Sequence, residues 1–408
     1  MDSVDKTVDN IKKRLIFTIL QDNHAIIGYK TIVLTIKLEV LRTMVIDLLK
    51  DLISIDSSTK EGANKAVDFC GVWLEGQQLP VQKIENNGYK MLVSEIGKGD
   101  QTLIFNGHVD VVTGKPNQFI PVEMDGKLFG RGSADMKAGV AAMMCAMREL
   151  KDKHLNFKIQ LQIVSDEEIG GMNCSGYLAE NDYLGDFVIC SEPTQLGIAH
   201  QAKGVLRLDI EVKGKSAHGS RPWEGINAIE KAYHIYEQIL NLSFAQESTA
   251  YYKCPSINLA KIQAGDAYNK VPEECMMSFD IRFLPSQTKE EILAQIESVT
   301  EGRVFVNMFA EPINTPSNHP VIELLGPIVE KFSNTPAVYF GQHGTADTVF
   351  FAKHGIPAIE FGPSGANWHG DEEYVICESV YSYQKMLTEL ALSIDLKALK
   401  NPKEMTKK

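Results

Sequence analysis

Nowhere in this 408-residue chain is there a C-x-x-C pair, a long basic block or an apolar run long enough to span a membrane. Each absence removes a class of function. The seven cysteines (Cys70, Cys145, Cys174, Cys190, Cys254, Cys275 and Cys377) are odd in number and scattered. That argues against a disulfide framework or a zinc ribbon and fits a reducing cytoplasm. With 41 basic against 53 acidic residues the formal charge is −12, so nucleic acid and anionic membrane are poor partners. No H-E-x-x-H helix and no G-x-S-x-G elbow occur. Gly214-Lys215-Ser216 resembles the end of a phosphate loop, but Asp209 stands where that loop requires glycine. Gly130-x-Gly132 lacks the third glycine of a dinucleotide fingerprint.

What remains is globular. Charged residues make up 23% and hydrophobic ones 44%, and the length points to two domains. Residues 1–43 form an N-terminal extension of doubtful status. Its apolar pieces, Leu15–Leu20 and Thr31–Ile36, are separated by Gln21-Asp22-Asn23-His24 and lack a small-residue cleavage site, so neither signal nor anchor is expected. Lys12-Lys13-Arg14 before the first piece leaves a secretory signal as the alternative. Val45–Ile53 reads as an amphipathic opening helix, which makes Met44 an alternative start.

From Met44 to about Gln201, apolar strand-like runs alternate with helical stretches: Thr102–Asn106, Met136–Leu150, Lys158–Val164, Asn173–Glu180 and Phe187–Cys190. This alternation predicts an α/β domain with a mostly parallel central sheet flanked by helices. After Lys203-Gly204 the period changes. Strands over Val205–Lys213, Ser256–Ala264, Glu274–Leu284 and Arg303–Phe309, with helices over Asn227–Asn241 and Lys289–Val299, give the order βαββαβ of a ferredoxin-like α+β insert. Pro312, Pro316 and Pro320 punctuate the exit, alternation resumes through Pro336–Phe340 and Ile356–Phe361, and a last helix lies near Val380–Leu392. Residues 44–202 and 315–408 are thus read as one discontinuous catalytic domain, 203–314 as the insert, and Asn401–Lys408 as a polar tail.

Chemical motifs follow the strands. They are Gly107-His108-Val109-Asp110, Gly132-Ser133-Ala134-Asp135-Met136-Lys137, Ser165-Asp166-Glu167-Glu168, Ser191-Glu192-Pro193-Thr194 and Trp368-His369-Gly370-Asp371-Glu372. Carboxyl ends of strands are where open α/β sheets bind ligands. Two imidazoles and at least four carboxylates suit two zinc ions bridged by a carboxylate, with one glutamate left as a base. Each piece also has a plainer reading. In extended chain His108 and Asp110 share a side, so Asp110 can orient the imidazole, whereas His108 alone could be a solvated turn histidine. Asp135 precedes a helix and could simply cap it, or could use its outer lone pairs to bridge cations. Glu167 and Glu168, in extended geometry, point to opposite sides and can take different roles, although adjacent glutamates are common on solvated loops. Pro193 keeps Glu192 extended at the end of an apolar strand, an unusual place for an acid.

Assembled, residues 44 to about 395 resemble the acetylornithine deacetylase / succinyl-diaminopimelate desuccinylase family of dizinc amidohydrolases, which includes aminoacylases and glutamate carboxypeptidases. The resemblance implies that His108 and Glu192 bind one zinc, Glu168 and His369 the other, and Asp135 both, with cobalt able to substitute. It implies Asp110 as orienting residue and Glu167 as general base. Gly214-Lys215-Ser216-Ala217-His218 is similar to the family's dimer-crossing oxyanion histidine, and the insert to its dimerisation or lid domain. Asn269, Arg282 and, in Gly344-Thr345-Ala346-Asp347-Thr348, Thr345 correspond to substrate-contacting positions. The expected partners are a small N-acylated amino acid or short peptide and a second copy of the chain. The expected activity is removal of a succinyl or acetyl group in amino-acid biosynthesis. A dipeptidase, carboxypeptidase or aminoacylase is the alternative, and a catalytically silent metal-binding relative the remote one. Desuccinylases place a lysine where this chain has Ala199-His200-Gln201, and Lys203 is the available substitute.

Overall fold

The first of the described helices, Ile27–Ile53, ends in the expected amphipathic stretch: Val45, Leu48, Leu49 and Leu52 are fully or almost fully buried, at helical spacing. The computed structural model describes residues 27–394, and the expectations for Leu15–Leu20 and for Asn401–Lys408 lie outside them. Among the described residues no helix is long and apolar enough to cross a membrane.

Among the described residues the central sheet has nine strands. Eight run in the order Gln82–Asn86, Tyr89–Gly97, Lys158–Val164, Thr102–His108, Phe187–Cys190, Ala358–Glu360, Ile198–Ala202 and Ile313–Asn314, and Tyr339–Gln342 also pairs with Ile198–Ala202. It is mixed. The four strands from Lys158–Val164 to Ala358–Glu360 are parallel, while the outer pairs on both sides include antiparallel ones. Alternation along these strands sorts side chains to two apolar faces. Leu103, Phe105, Leu161 and Ile189 join a large core with helices Ile27–Ile53, Lys60–Gly76, Lys137–Leu150 and Cys377–Ser393. Ile104 and Val188 point the other way, onto Phe351 of the short helix Thr348–Ala352. Burial on both faces explains why the parallel strands read as nearly continuous apolar runs.

In the parallel register His108 lies opposite Val164 and Asn106 opposite Cys190. The residues just beyond, Ser165–Glu168 and Ser191-Glu192, therefore emerge at the same edge of the sheet as His108.

A second sheet, Ser256–Ala264, Glu274–Phe283, Gly204–Lys213 and Arg303–Ala310 in that order, is antiparallel throughout. Helices Ala228–Leu240 and Lys289–Ser298 cover one face. The expected βαββαβ order is present, with one extra short helix at Ser243–Gln246.

A third sheet was not anticipated. It joins Val122–Met124, Lys127–Phe129, Tyr374–Ile376 and Gly365–Ala366, bringing the segment that precedes Asp135 beside the segment that carries His369.

Candidate active site

His108 closes its strand fully buried, and Asp135 sits on the loop between strand Lys127–Phe129 and helix Lys137–Leu150. The capping role open to Asp135 is not the one it takes. Met136 occupies the cap position, and the Asp135 carboxylate reaches two imidazoles instead. Its Oδ1 lies 3.2 Å from His108 Nε2 and its Oδ2 3.3 Å from His369 Nε2. Glu192 Oε1 is 4.0 Å from His108 Nε2, and Glu168 Oε1 is 3.3 Å from His369 Nε2. Two triplets result, His108–Asp135–Glu192 and Asp135–Glu168–His369, with ligand atoms within 4.8 Å of one another in each. An ion with bonds of about 2.0–2.1 Å in tetrahedral geometry needs ligand atoms roughly 3.3 Å apart. The edges His108–Asp135, Asp135–His369 and His369–Glu168 already have that length.

Glu167 and Glu168 are not extended as the sequence implied. They open a 3₁₀ turn, Glu167–Ile169, closed by Gly170 and Gly171 at positive φ. Successive side chains in such a turn diverge by about 120°, so the two carboxylates still separate. Glu168 enters the second triplet. Glu167 belongs to neither and points its Oε2 toward His108 Nε2, 3.8 Å away. Asp110 orients His108 mostly through its backbone: Nδ1 lies 2.9 Å from the Asp110 carbonyl and 3.5 Å from the carboxylate. The other Asp110 oxygen accepts the Glu168 amide at 2.9 Å, joining the two ligand loops. His369 adopts a left-handed backbone, φ 63°, unusual for a residue with a Cβ.

The electrostatics describe a site short of positive charge. Burial and then neighbouring carboxylates push Glu192 well above the usual carboxylate range, and burial does the same to Glu167. Asp347 rises to about 7 and Glu360 to about 8, mainly through burial. Burial also opposes ionisation of Asp135, but hydrogen bonds from His108 and His369 outweigh it and hold that carboxyl low. Burial disfavours the charged form of His108, yet Asp110 and Asp135 keep it well above the ordinary histidine value. The Asp135 hydrogen bond raises His369 as well. Glu168 Oε1 is buried, and its 3.3 Å approach to His369 Nε2 falls short of a well-aligned hydrogen bond. A donor set of two imidazoles and clustered carboxylates, one of whose buried oxygens lacks a well-aligned donor, fits divalent cations.

The insert's candidate residues belong to neither triplet. His218 is exposed, its Nδ1 2.8 Å from Ser220 Oγ, and its backbone bridges to Lys270 beside Asn269. Arg282 is held by Asp280 at 2.6 and 3.2 Å, and Arg207 pairs with the same carboxylate at 2.9 Å. Thr345 is half-buried, next to Ala346, which packs with Met136 and Cys190. Lys203 is no free substitute for a substrate-binding lysine. It is buried, donates to the Cys254 carbonyl at 2.8 Å and lies over the Tyr252 ring.

Sequence reasoning missed several residues around the site. Glu360 ends an apolar strand as Glu192 follows one, so the same signal was available. Asp347 accepts from Ser175 Oγ at 2.6 Å, and Glu373 pairs with Arg131 at 2.8 Å, both inside the protein.

Residues 104–393 match Peptidase family M20/M25/M40. A succinyl-diaminopimelate desuccinylase of Nautilia profundicola is 28% identical over 85% of this chain and 98% of its own length. An acetylornithine deacetylase of Proteus mirabilis is 29% identical over 69% of this chain and 78% of its own. The aminopeptidase PepT of Bacillus cereus, 21% identical, superposes with a TM-score of 0.72 over 86% of this chain and 98% of its own, so it shares the fold. With the family signature covering most of the chain and ending beyond His369, this protein belongs to peptidase family M20/M25/M40, a family of hydrolases.

Proposed function

We propose that the chain is a dinuclear zinc amidohydrolase that removes an N-acyl group, succinyl or acetyl, from an amino acid. One observation carries the reading: the two oxygens of Asp135 face different imidazoles, 3.2 and 3.3 Å away, as a carboxylate bridging two ions would. His108 and Glu192 would hold one zinc, or cobalt in its place, Glu168 and His369 the other. Bound there, the ions supply Lewis acidity to an amide carbonyl and make water a usable nucleophile near neutral pH. Glu167, outside both triplets, takes the water's proton at its carboxylate and passes it to the leaving amine. Asp110 keeps His108 in register.

Residues 203–314 act in this reading as a lid that also forms a homodimer. Ile229 and Tyr233 on its helix, and Phe305, Val306 and Met308 on its edge strand, are exposed apolar side chains suited to such a contact. His218 would then serve the partner's site as oxyanion donor, and Asn269, Arg282 and Thr345 would contact substrate. The seven free cysteines suit a reducing cytoplasm.

A peptidase of the same family is the second reading. The commitment of Lys203 to Cys254 favours it over a desuccinylase, because an acyl carboxylate loses its most obvious partner. Metal analysis with a panel of N-succinyl and N-acetyl amino acids, dipeptides and tripeptides separates the readings. Turnover of peptides alone selects the second. Metal uptake without turnover of any substrate would leave a silent relative.

A further inference from the structure

Glu373 lies four residues past His369 and is 2% exposed, yet it belongs to neither ligand triplet. Its two oxygens accept four N–H groups. Oε2 takes Arg131 Nη1 at 2.8 Å and the Gly132 amide at 2.9 Å, while Oε1 takes the Ala134 amide at 2.9 Å and the Asp135 amide at 3.1 Å. The Glu373 carbonyl also accepts the Gly130 amide at 3.1 Å. The loop that presents Asp135 is therefore wrapped around one side chain from the segment that presents His369. Arg131 extends the tie: its Nη2 approaches the His369 carbonyl at 3.4 Å and the Thr113 carbonyl at 3.5 Å.

We propose that Glu373 is a positioning residue for the bridging carboxylate, holding Asp135 astride the two half-sites and fixing its distance from His369. This rests on the dinuclear reading above. A bridging carboxylate must present each oxygen to a different ion within a few tenths of an ångström, and the Asp135 side chain has only two torsions with which to do so. The backbone beneath it has to be fixed from outside, and the Asp135 amide bonded to Glu373 fixes it. A carboxylate is the group that can do this, because all four incoming groups are donors and an ionised carboxylate offers only acceptors.

Glu373→Gln keeps the shape but turns one acceptor oxygen into an NH₂ that faces two donors, and leaves Arg131 without its counter-charge. Glu373→Asp keeps the charge one methylene short. Metal-free wild-type and variant proteins are titrated with Co²⁺ alone by calorimetry, with the visible absorption of bound cobalt recorded and folding checked by circular dichroism. The expected result is about 10- to 100-fold weaker binding at both sites in Glu373→Gln, a changed cobalt spectrum, and a smaller change of the same kind in Glu373→Asp. If the glutamine variant does not fold, the aspartate variant decides. Folded variants that melt earlier but keep the wild-type isotherm and spectrum overturn the proposal, because Glu373 would then support the fold alone. A wild-type protein that binds fewer than two ions instead overturns the dinuclear reading, and this proposal with it.

Discussion

Gly139, one turn into the helix that follows Asp135, packs directly on the residue before Glu192. A Cβ built there would lie 2.5 Å from the Ser191 carbonyl oxygen, with the Ser191 hydroxyl closer still. The hydroxyl can rotate away; the carbonyl belongs to the end of a central strand and cannot. Gly139→Ala therefore drives the helix and strand end roughly 1 Å apart against an ordinary contact. Overpacking of this kind costs about 1–3 kcal/mol, and the better helix propensity of alanine returns about 1, leaving a net loss of about 0–2 kcal/mol against wild type and about 1–3 against a helix glycine replaced without a clash. The displacement falls between Asp135 and Glu192, whose half-site already has its His108–Glu192 edge stretched to 4.0 Å. Metal affinity at that half-site should drop by about tenfold or more. Urea denaturation of metal-free protein and a metal titration measure the two effects. Gly76→Ala is the control, since its Cβ would meet nothing within 4 Å. Unchanged stability and metal binding in Gly139→Ala, equal to the control, would refute this account of the packing.

Exchanging the two glutamates of the turn should separate their roles. Glu167→Gln is expected to retain two metals and lose about 10²–10⁴ in kcat, whereas Glu168→Gln should lose metal; the opposite pattern in metal analysis reverses the assignment. His218→Ala should lower kcat by about 10²–10³ with metal content intact. Mixed with Glu167→Gln it should recover activity, and no recovery after confirmed subunit exchange places His218 outside a shared site. His319, half-buried against Phe187, is held down to about 4 by burial. Its folded value lies below its unfolded one, so stability is full above pH ~6.5 and falls as pH drops toward 4, by no more than about 1–2 kcal/mol after discounting for solvent. His319→Asn keeps a capping acceptor for the Val321 amide and should flatten the difference between urea midpoints at pH 4.5 and 7; an unaltered slope rejects the assignment.

His108, Glu168 and Glu192 were legible because each ends or follows a buried parallel strand, where an acid or imidazole interrupts an apolar run; Asp135 and His369 stand on loops of the third sheet and were found by their motifs. Glu360 carries the same mark and passed unread because no motif surrounds it. Glu373 was hidden in the run Asp371-Glu372-Glu373, which reads as a solvated turn; only the third sheet draws it inward. That sheet and the edge hairpin did leave traces. Asp125-Gly126 and Asn87-Gly88 are two-residue turns with both residues at positive φ, the strongest short-range hairpin signals a sequence can hold. The adjoining strands are too short or too polar to have stood out. The outward tilt of Glu167 from Glu168 was expected for an extended chain and arises instead from a 3₁₀ turn, a difference set by Gly170 and Gly171. Arg282 could be found by pattern, but the sharing of its partner Asp280 with Arg207 could not, because strand register sets Arg207 opposite Asp280 and pattern does not reveal register.

Asp135 faces the imidazoles of both triplets, but the residues it joins are not synthesised together. His108, Asp135 and Glu192 all lie in the first half of the chain, whereas His369 lies near its end, with the four-stranded insert between. At ordinary elongation rates His369 leaves the ribosome on the order of ten to thirty seconds after Glu192. An ion captured early would set the Gly130–Asp135 loop in the shape onto which the late segment, with Glu373 and His369, must dock. Chains synthesised under chelation and given metal afterwards should recover less activity than chains supplied throughout; equal recovery would show that order of arrival is immaterial. Maturation would then have a direction, from the amino-terminal half-site to the carboxyl-terminal one, and metal supply during translation would set the yield of active protein.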